Sequence, residues 1–320
     1  NYRDLIFIIF IIFDIMLWEA YMLRVEGVTK KYGDLVAVNN LSFSVNDGEI
    51  FGLLGLNGAG KTTTFRMILG LLDDYTGNIY LDDKKIDYSV TDKIGFLTEE
   101  RSLLTKLTVL EQIKFYGVLK EMKESDIESK LDYYLDLFNV KEYKNKKIKE
   151  LSKGNQQKIQ FISSIIHEPK LLILDEPFSG LDPLNVELFK KVIIDLKNKG
   201  TSIIFSSHRM EHVELFCDKI VVLVHGNSVL EGYIKDIKDN YKKKNIFVIG
   251  DINKKEIEKE KGVVSVSYEK GEYIIKIEDE KYVSNIFKKI SKYDNITKFC
   301  VEDASLNEIF VSVVGENYEG

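Results

Sequence analysis

Gly55-Leu56-Asn57-Gly58-Ala59-Gly60-Lys61-Thr62-Thr63 is the stretch from which the fold can be read. It follows Phe51-Gly52-Leu53-Leu54, an apolar run of the right length for one buried strand. It leads into Thr64-Phe65-Arg66-Met67-Ile68-Leu69, which reads as a helix. Strand, glycine-rich loop and helix with the spacing G-x-x-x-x-G-K-[ST] are the sequence form of a phosphate cradle. Glycines let successive N–H groups curl round phosphate oxygens with no Cβ in the way, and the helix start adds the positive end of a dipole. Lys61 supplies a cation for the β- and γ-phosphates, and the Thr62 hydroxyl is placed for Mg²⁺. A ligand-free glycine turn is the plain alternative, and the complete pattern between strand and helix outweighs it. Gly55, Asn57, Gly58, Ala59, Gly60, Lys61, Thr62 and Thr63 are therefore the nucleotide-binding candidates.

Further motifs lie downstream. Leu171-Leu172-Ile173-Leu174 is a continuous aliphatic run, as a strand buried on both faces requires, and it ends in Asp175-Glu176-Pro177. A carboxylate at a strand end near phosphates can hold Mg²⁺ through water, and its neighbour can polarise an attacking water. Ahead of this strand, Leu151-Ser152-Lys153-Gly154-Asn155-Gln156-Gln157-Lys158 is a small polar loop opening an amphipathic helix. After it come Ser179-Gly180-Leu181-Asp182-Pro183 and Phe205-Ser206-Ser207-His208.

With these motifs in this order, residues 22 to about 232 resemble the nucleotide-binding subunit of an ABC transporter. The resemblance implies an α/β fold of the P-loop NTPase type, with a mixed sheet and a helical subdomain at about 101–150. It implies ATP hydrolysis with Mg²⁺, coupled to a separate membrane permease from the cytoplasmic face of the cell membrane. On this resemblance Gly55–Thr63 is the Walker A loop, and Asp175 with Glu176 ends Walker B. Tyr32 stacks on adenine, Asp182 is the D-loop residue and His208 is the switch histidine at the γ-phosphate. Ser152, Lys153, Gly154 and Asn155 fall in the signature loop, which in this family reaches the ATP of a second subunit in a head-to-tail dimer, here expected to be a homodimer. A hydroxyl, an N–H and a helix N-terminus delivered in trans would make closure depend on the γ-phosphate.

Two positions depart from the commonest pattern. The signature reads Leu-Ser-Lys-Gly-Asn where Leu-Ser-Gly-Gly-Gln is usual, keeping Ser152 and Gly154, and Glu99 stands where the family usually has a glutamine that reaches the Mg²⁺ shell. Glu100 competes with Glu99 for that role. His208 and His212, four apart, have metal-ligand spacing, but no third ligand is evident. Leu110, Ile113, Tyr116 and Gly117, then Ile127, Leu131, Tyr134, Leu135 and Phe138, recur at helical spacing and read as core. In the family this helical region receives a segment of the permease, and 101–107 is where that contact is expected.

Composition agrees with a folded, reducing-compartment protein. The chain has 320 residues, 44% hydrophobic and 30% charged, with net charge −6, which argues against nucleic acid as a partner. Its two cysteines, Cys217 and Cys300, lack metal-ligand spacing. The apolar run Leu5–Phe13, resumed by Ile15–Trp18, is short for a membrane span. Residues 1–21 read as a translated leader ahead of Met22, with an interfacial anchor as the next reading.

Past Gly232 the pattern changes. Residues 234–244 read as a helix that closes the ATPase domain, 245–250 as a strand, 254–260 as a short helix, and 263–268 with 273–277 as a hairpin. A helix at 281–293, a strand at 296–301 and a helix at 305–314 follow. This order predicts a small α+β, ferredoxin-like domain over 245–320. Similar domains are appended to sodium- and drug-exporter ATPases, which makes an exporter the favoured machine. A soluble ABC-type ATPase acting on ribosomes or DNA is the alternative.

Overall fold

The computed structural model describes residues 21–318, which divide into two compact units between Glu231 and Gly232. The leader reading of residues 1–21 lies outside the described residues except for Tyr21, which opens the first strand. Among the described residues no helix is long and apolar enough to cross a membrane.

In the first unit, β1 (Tyr21–Tyr32) and β2 (Leu35–Asn46) form a long antiparallel hairpin. β3 (Ile50–Gly55), buried at every residue, passes through the phosphate loop into α1 (Lys61–Ile68). β4 (Thr76–Leu81) and β5 (Lys84–Lys85) complete an antiparallel sheet of order β2-β1-β4-β5. β6 (Ile94–Leu97) precedes the helical region of α2 (Val109–Leu119) and α3 (Glu124–Leu137). Thr108 and Glu111 close a capping box at the start of α2. Then follow α4 (Lys153–Ile165), β7 (Leu171–Asp175), α5 (Pro183–Asn198), β8 (Ser202–Ser206), α6 (Met210–Phe216), β9 (Lys219–Val224) and β10 (Asn227–Tyr233).

The second sheet has the order β10-β9-β3-β8-β7-β6, and its strands from β9 to β6 are parallel. Parallel pairing puts the carboxyl ends of β3, β8, β7 and β6 side by side. Those ends carry the phosphate loop, His208, Asp175-Glu176 and Glu99, so the topology assembles the site along one sheet edge. Of the helical-region residues expected in the core, Ile113, Gly117, Ile127, Leu131, Tyr134, Leu135 and Phe138 are buried, while Leu110 and Tyr116 are half-buried.

The second unit comprises α7 (Ile234–Asn240), β11 (Lys244–Ile249), α8 (Lys254–Ile257), β12 (Val263–Glu269), β13 (Glu272–Ile277), α9 (Val283–Ile290), β14 (Lys298–Asp303) and α10 (Leu306–Tyr318). Its sheet is antiparallel with order β12-β13-β11-β14, the arrangement of a split β-α-β fold. Ile246, Val248, Ile275 and Ile277 pack against Ile257, Ile286 and Ile290. Element boundaries differ from the sequence expectation. The helix expected over 234–244 to close the ATPase domain falls in the second unit, and it stops at Asn240 because Lys244 already pairs with Ile277 and Asp303, its Nζ 2.6 Å from the Asp303 carboxylate. The helix expected from 281 begins as a 3-10 turn, Glu280–Tyr282, capped by Asp279.

Candidate functional site

The phosphate loop is shaped by two close approaches. Gly60 has φ 107°, and a Cβ there would sit 2.5 Å from the Ala37 carbonyl oxygen; at Gly55, φ 148°, it would sit 2.5 Å from the Leu223 carbonyl oxygen. No other residue type fits either place without moving backbone. The contact at Gly60 also brings β2 against the loop. Tyr32 pairs with Leu35 at the hairpin end, two residues before Ala37, and presents a half-exposed ring. The Nζ of Lys30, a buried side chain ion-paired with Asp74, lies 4.6 Å from the centre of that ring.

Lys61 Nζ donates to the carbonyls of Gly55 at 2.6 Å and Leu56 at 3.2 Å. Burial lowers its pKa, against the opposing pull of Asp175, Glu176 and Glu99. Thr62 is exposed, and Thr64, whose hydroxyl donates to Gly60 O at 3.0 Å, is buried in the first turn. The hydroxyl next to the loop's mouth is thus free to meet a ligand, while its neighbour is used to hold the helix start.

At the ends of β7 and β8, Asp175 is buried and accepts a 2.5 Å hydrogen bond from the Ser206 hydroxyl. Burial pushes its carboxyl above the ordinary range, and the charge of Glu99 adds to the rise. Glu176 has φ 50°, a left-handed conformation uncommon outside glycine. Its carboxylate accepts from the His208 backbone N–H at 2.6 Å and from the Ser207 hydroxyl at 3.2 Å. The His208 ring nitrogen Nε2 lies 3.7 Å from the same carboxylate. Burial raises the Glu176 pKa as well, opposed by His208. Of the two adjacent glutamates, it is Glu99 whose charge is felt at Lys61 and Asp175, whereas the Glu100 backbone carbonyl takes up a hydrogen bond from Gln160 at 3.2 Å.

The structure therefore brings together Gly55–Thr63, Glu99, Asp175, Glu176 and His208. The first turn of α4 is separate in its bonding: the Ser152 hydroxyl caps the helix by accepting from Asn155 N at 3.3 Å, and Ser152 and Lys153 are exposed. Asp182 caps α5, accepting from Asn185 N at 3.0 Å, which lowers its pKa. His212 is buried with its ring 4.7 Å from Phe178. Ser206 and Ser207, which bond to the two carboxylates, stand in the sequence merely as neighbours of His208. A serine pair beside a motif histidine carries no signal until the adjacent strand is known.

A second concavity, about 270 Å³, lies between β6 and the helical region, with Ser102, Leu103, Gln112, Tyr116, Lys120 and His167 in its wall. Burial, reinforced by Lys120, pulls the His167 pKa down to about 4, so its imidazole is neutral there.

Comparison with known proteins bears directly on this arrangement. Residues 38–179 match the family model described as ABC transporter. Over 298 residues the chain is 46% identical to the ABC transporter ATP-binding protein YhaQ of Bacillus subtilis, covering 93% of this chain and all of the relative. The chain belongs to the ABC transporter ATP-binding proteins. Residues 232–314 match the C-terminal domain of ATP-binding protein DrrA1-3-like. The linearmycin resistance ATP-binding protein LnrL of Bacillus subtilis is 34% identical over 219 residues, 68% of this chain and 70% of that one. A solved ATP binding subunit of an ABC transporter superposes with TM-score 0.65 at 30% identity, over 69% of this chain and 93% of the other. As an ABC transporter ATP-binding subunit the protein is an ATPase that works with a transmembrane permease component. These matches are to transporter and resistance ATP-binding proteins and give no support to a ribosome- or DNA-directed role.

Proposed function

We propose that two copies of this chain close head to tail over two Mg²⁺-ATP molecules at the cytoplasmic face of the membrane and so drive an exporter. The observation that carries the proposal is the position of Glu176 beside the phosphate loop, its carboxylate tied to His208 and Ser207. In this reading Tyr32 stacks on the adenine. Lys61 and the N–H groups of Asn57–Thr63 bind the β- and γ-phosphates.

A buried carboxylate, Asp175, near a phosphate cradle suits a hard divalent cation, which takes one or two carboxylates plus phosphate oxygens and water. Thr62 and Asp175 would hold Mg²⁺ with Glu99 at its outer shell, and the ion would neutralise charge on the transferring phosphoryl group. Glu176 accepts the proton of the attacking water, a task for which a carboxyl with a raised pKa is suited. His208 then contacts the γ-phosphate. Ser152, Lys153, Gly154 and Asn155, exposed or partly so at the helix start, meet the partner's ATP, and Asp182 faces the same interface.

The groove at Ser102, Leu103, Gln112, Tyr116, Lys120 and His167 receives a permease segment. The C-terminal unit steadies the dimer. Export is supported by the DrrA-like C-terminal match and by the resistance protein LnrL. The test is Glu176→Gln: it should bind ATP, fail to hydrolyse it, and run as a dimer in size exclusion with ATP. Turnover at the parent rate would refute the assignment.

A further inference from the structure

We infer that Gln157 and Gln160 of α4 are positioning residues for Glu176 and Glu99, so that the helix opened by Ser152 also holds both carboxylate-bearing loops. The inference rests on the catalytic reading of Glu176 given above. Both side chains are buried. The Gln157 amide Nε2 donates to the Pro177 carbonyl at 3.3 Å, on the residue directly after Glu176. That short turn is otherwise closed by Ser179 N to Glu176 O and Glu176 N to Ser206 O, each 3.1 Å.

Three residues further along the same face, the Gln160 amide reaches both neighbours of Glu99. It donates to the Thr98 hydroxyl at 2.9 Å, the Thr98 carbonyl at 3.2 Å and the Glu100 carbonyl at 3.2 Å. The Gln160 Oε1 is buried without a hydrogen-bond partner. A helix that needed only core filling would carry an apolar side chain at such a place, because a buried polar atom left unpaired is costly. The amide is kept for what it holds.

A ring stack runs parallel to this link. Phe161 of α4 stacks on Phe189 at 4.6 Å, and Phe189 meets Phe178, two residues after Glu176, at 6.5 Å. The left-handed backbone of Glu176 is thus fixed from α4 by one hydrogen bond and one aromatic chain. Through these contacts α4 is joined directly to the loop that carries Glu176 and to the one that carries Glu99.

The test uses the full chain and measures kcat, the dissociation constant for a fluorescent ATP analogue, and amide hydrogen exchange. Gln157→Met keeps the shape and removes the donor, with Gln157→Leu as the second variant should the first fold poorly. Expected is a loss of kcat of roughly tenfold or more, nucleotide affinity within about twofold, and faster exchange in the Glu176–Ser179 turn. In a Glu176→Gln background, where turnover is already lost, the same substitution should still speed exchange in the Glu176–Ser179 turn and leave nucleotide affinity within about twofold. Gln160→Met should lower kcat in the parent, cost nothing further in Glu99→Gln, and speed exchange over 98–100. Parent kcat in both glutamine variants, or a Gln160→Met loss that multiplies with that of Glu99→Gln, would overturn the inference. If Glu176→Gln itself turned over at the parent rate, the catalytic reading would fall, and the inference with it. A catalytically dead Glu176→Gln beside fully active glutamine variants would overturn the inference alone.

Discussion

Ser206→Ala tests the least conspicuous contact in the site. The Ser206 hydroxyl lies 2.5 Å from the Asp175 carboxylate, and both residues are buried. Removing the donor opens little space but leaves a carboxylate oxygen dehydrated and unpaired. Hydrogen bonds to charged groups are worth roughly 1.5–3 kcal/mol, a change of about 10- to 150-fold in the folded-to-unfolded ratio at neutral pH. The pH dependence has a definite sign. Burial holds the folded Asp175 pKa above the unfolded value of 3.8, so its ionised form detracts from stability at high pH and that cost fades as pH falls through the folded pKa. Ser206 acts the other way, lowering the pKa. The variant should therefore titrate higher, and its deficit against the parent should be full at pH 8 and shrink on acidification. Urea unfolding of the nucleotide-free chain, followed by circular dichroism at pH 8 and pH 5, measures this. A midpoint unchanged at pH 8, or a deficit that grows at pH 5, would refute the reasoning.

Two further outcomes follow from packing. Phe161→Ala removes a fully buried ring stacked on Phe189 and edge-on to Phe138 at 6.0 Å, and should cost about 3–5 kcal/mol in the urea midpoint. Titration of the native chain with a thiol-specific disulfide reagent should label Cys300, which is half-exposed, while Cys217, whose thiol is buried and pushed up by that burial, reacts only on unfolding. Two fast thiols in the native state would contradict that burial.

The parts of the site that depend on a few consecutive residues were legible in the sequence. Gly55–Thr63 is such a part, because the loop's curvature, its dipole and its cation are all local properties. So is the run Leu171–Asp175, whose continuous apolar character reports burial on both faces. In the second unit the order of elements was legible for the same reason, since alternation and a Glu-Lys-Gly-Glu turn mark the hairpin. The ends of those elements were not, because pairing sets them. Lys244 leaves the helix expected over 234–244 to pair across the sheet and to meet the carboxylate of Asp303, 59 residues away in sequence.

The same distinction explains what was missed in the site itself. Ser206 matters because β8 lies next to β7 in register Asp175↔Ser206, and Gln157 because α4 passes under the turn after β7. Glu99, by contrast, is named from the sequence alone, by its place after Ile94–Thr98. Ser206 and Gln157 each act on a carboxylate or its turn at a distance fixed by the parallel strand order. Local sequence names the groups that do chemistry, whereas the groups that aim them are chosen by the sheet. A variant that preserves every motif yet disturbs the β7–β8 register should lose activity as completely as one that removes Lys61.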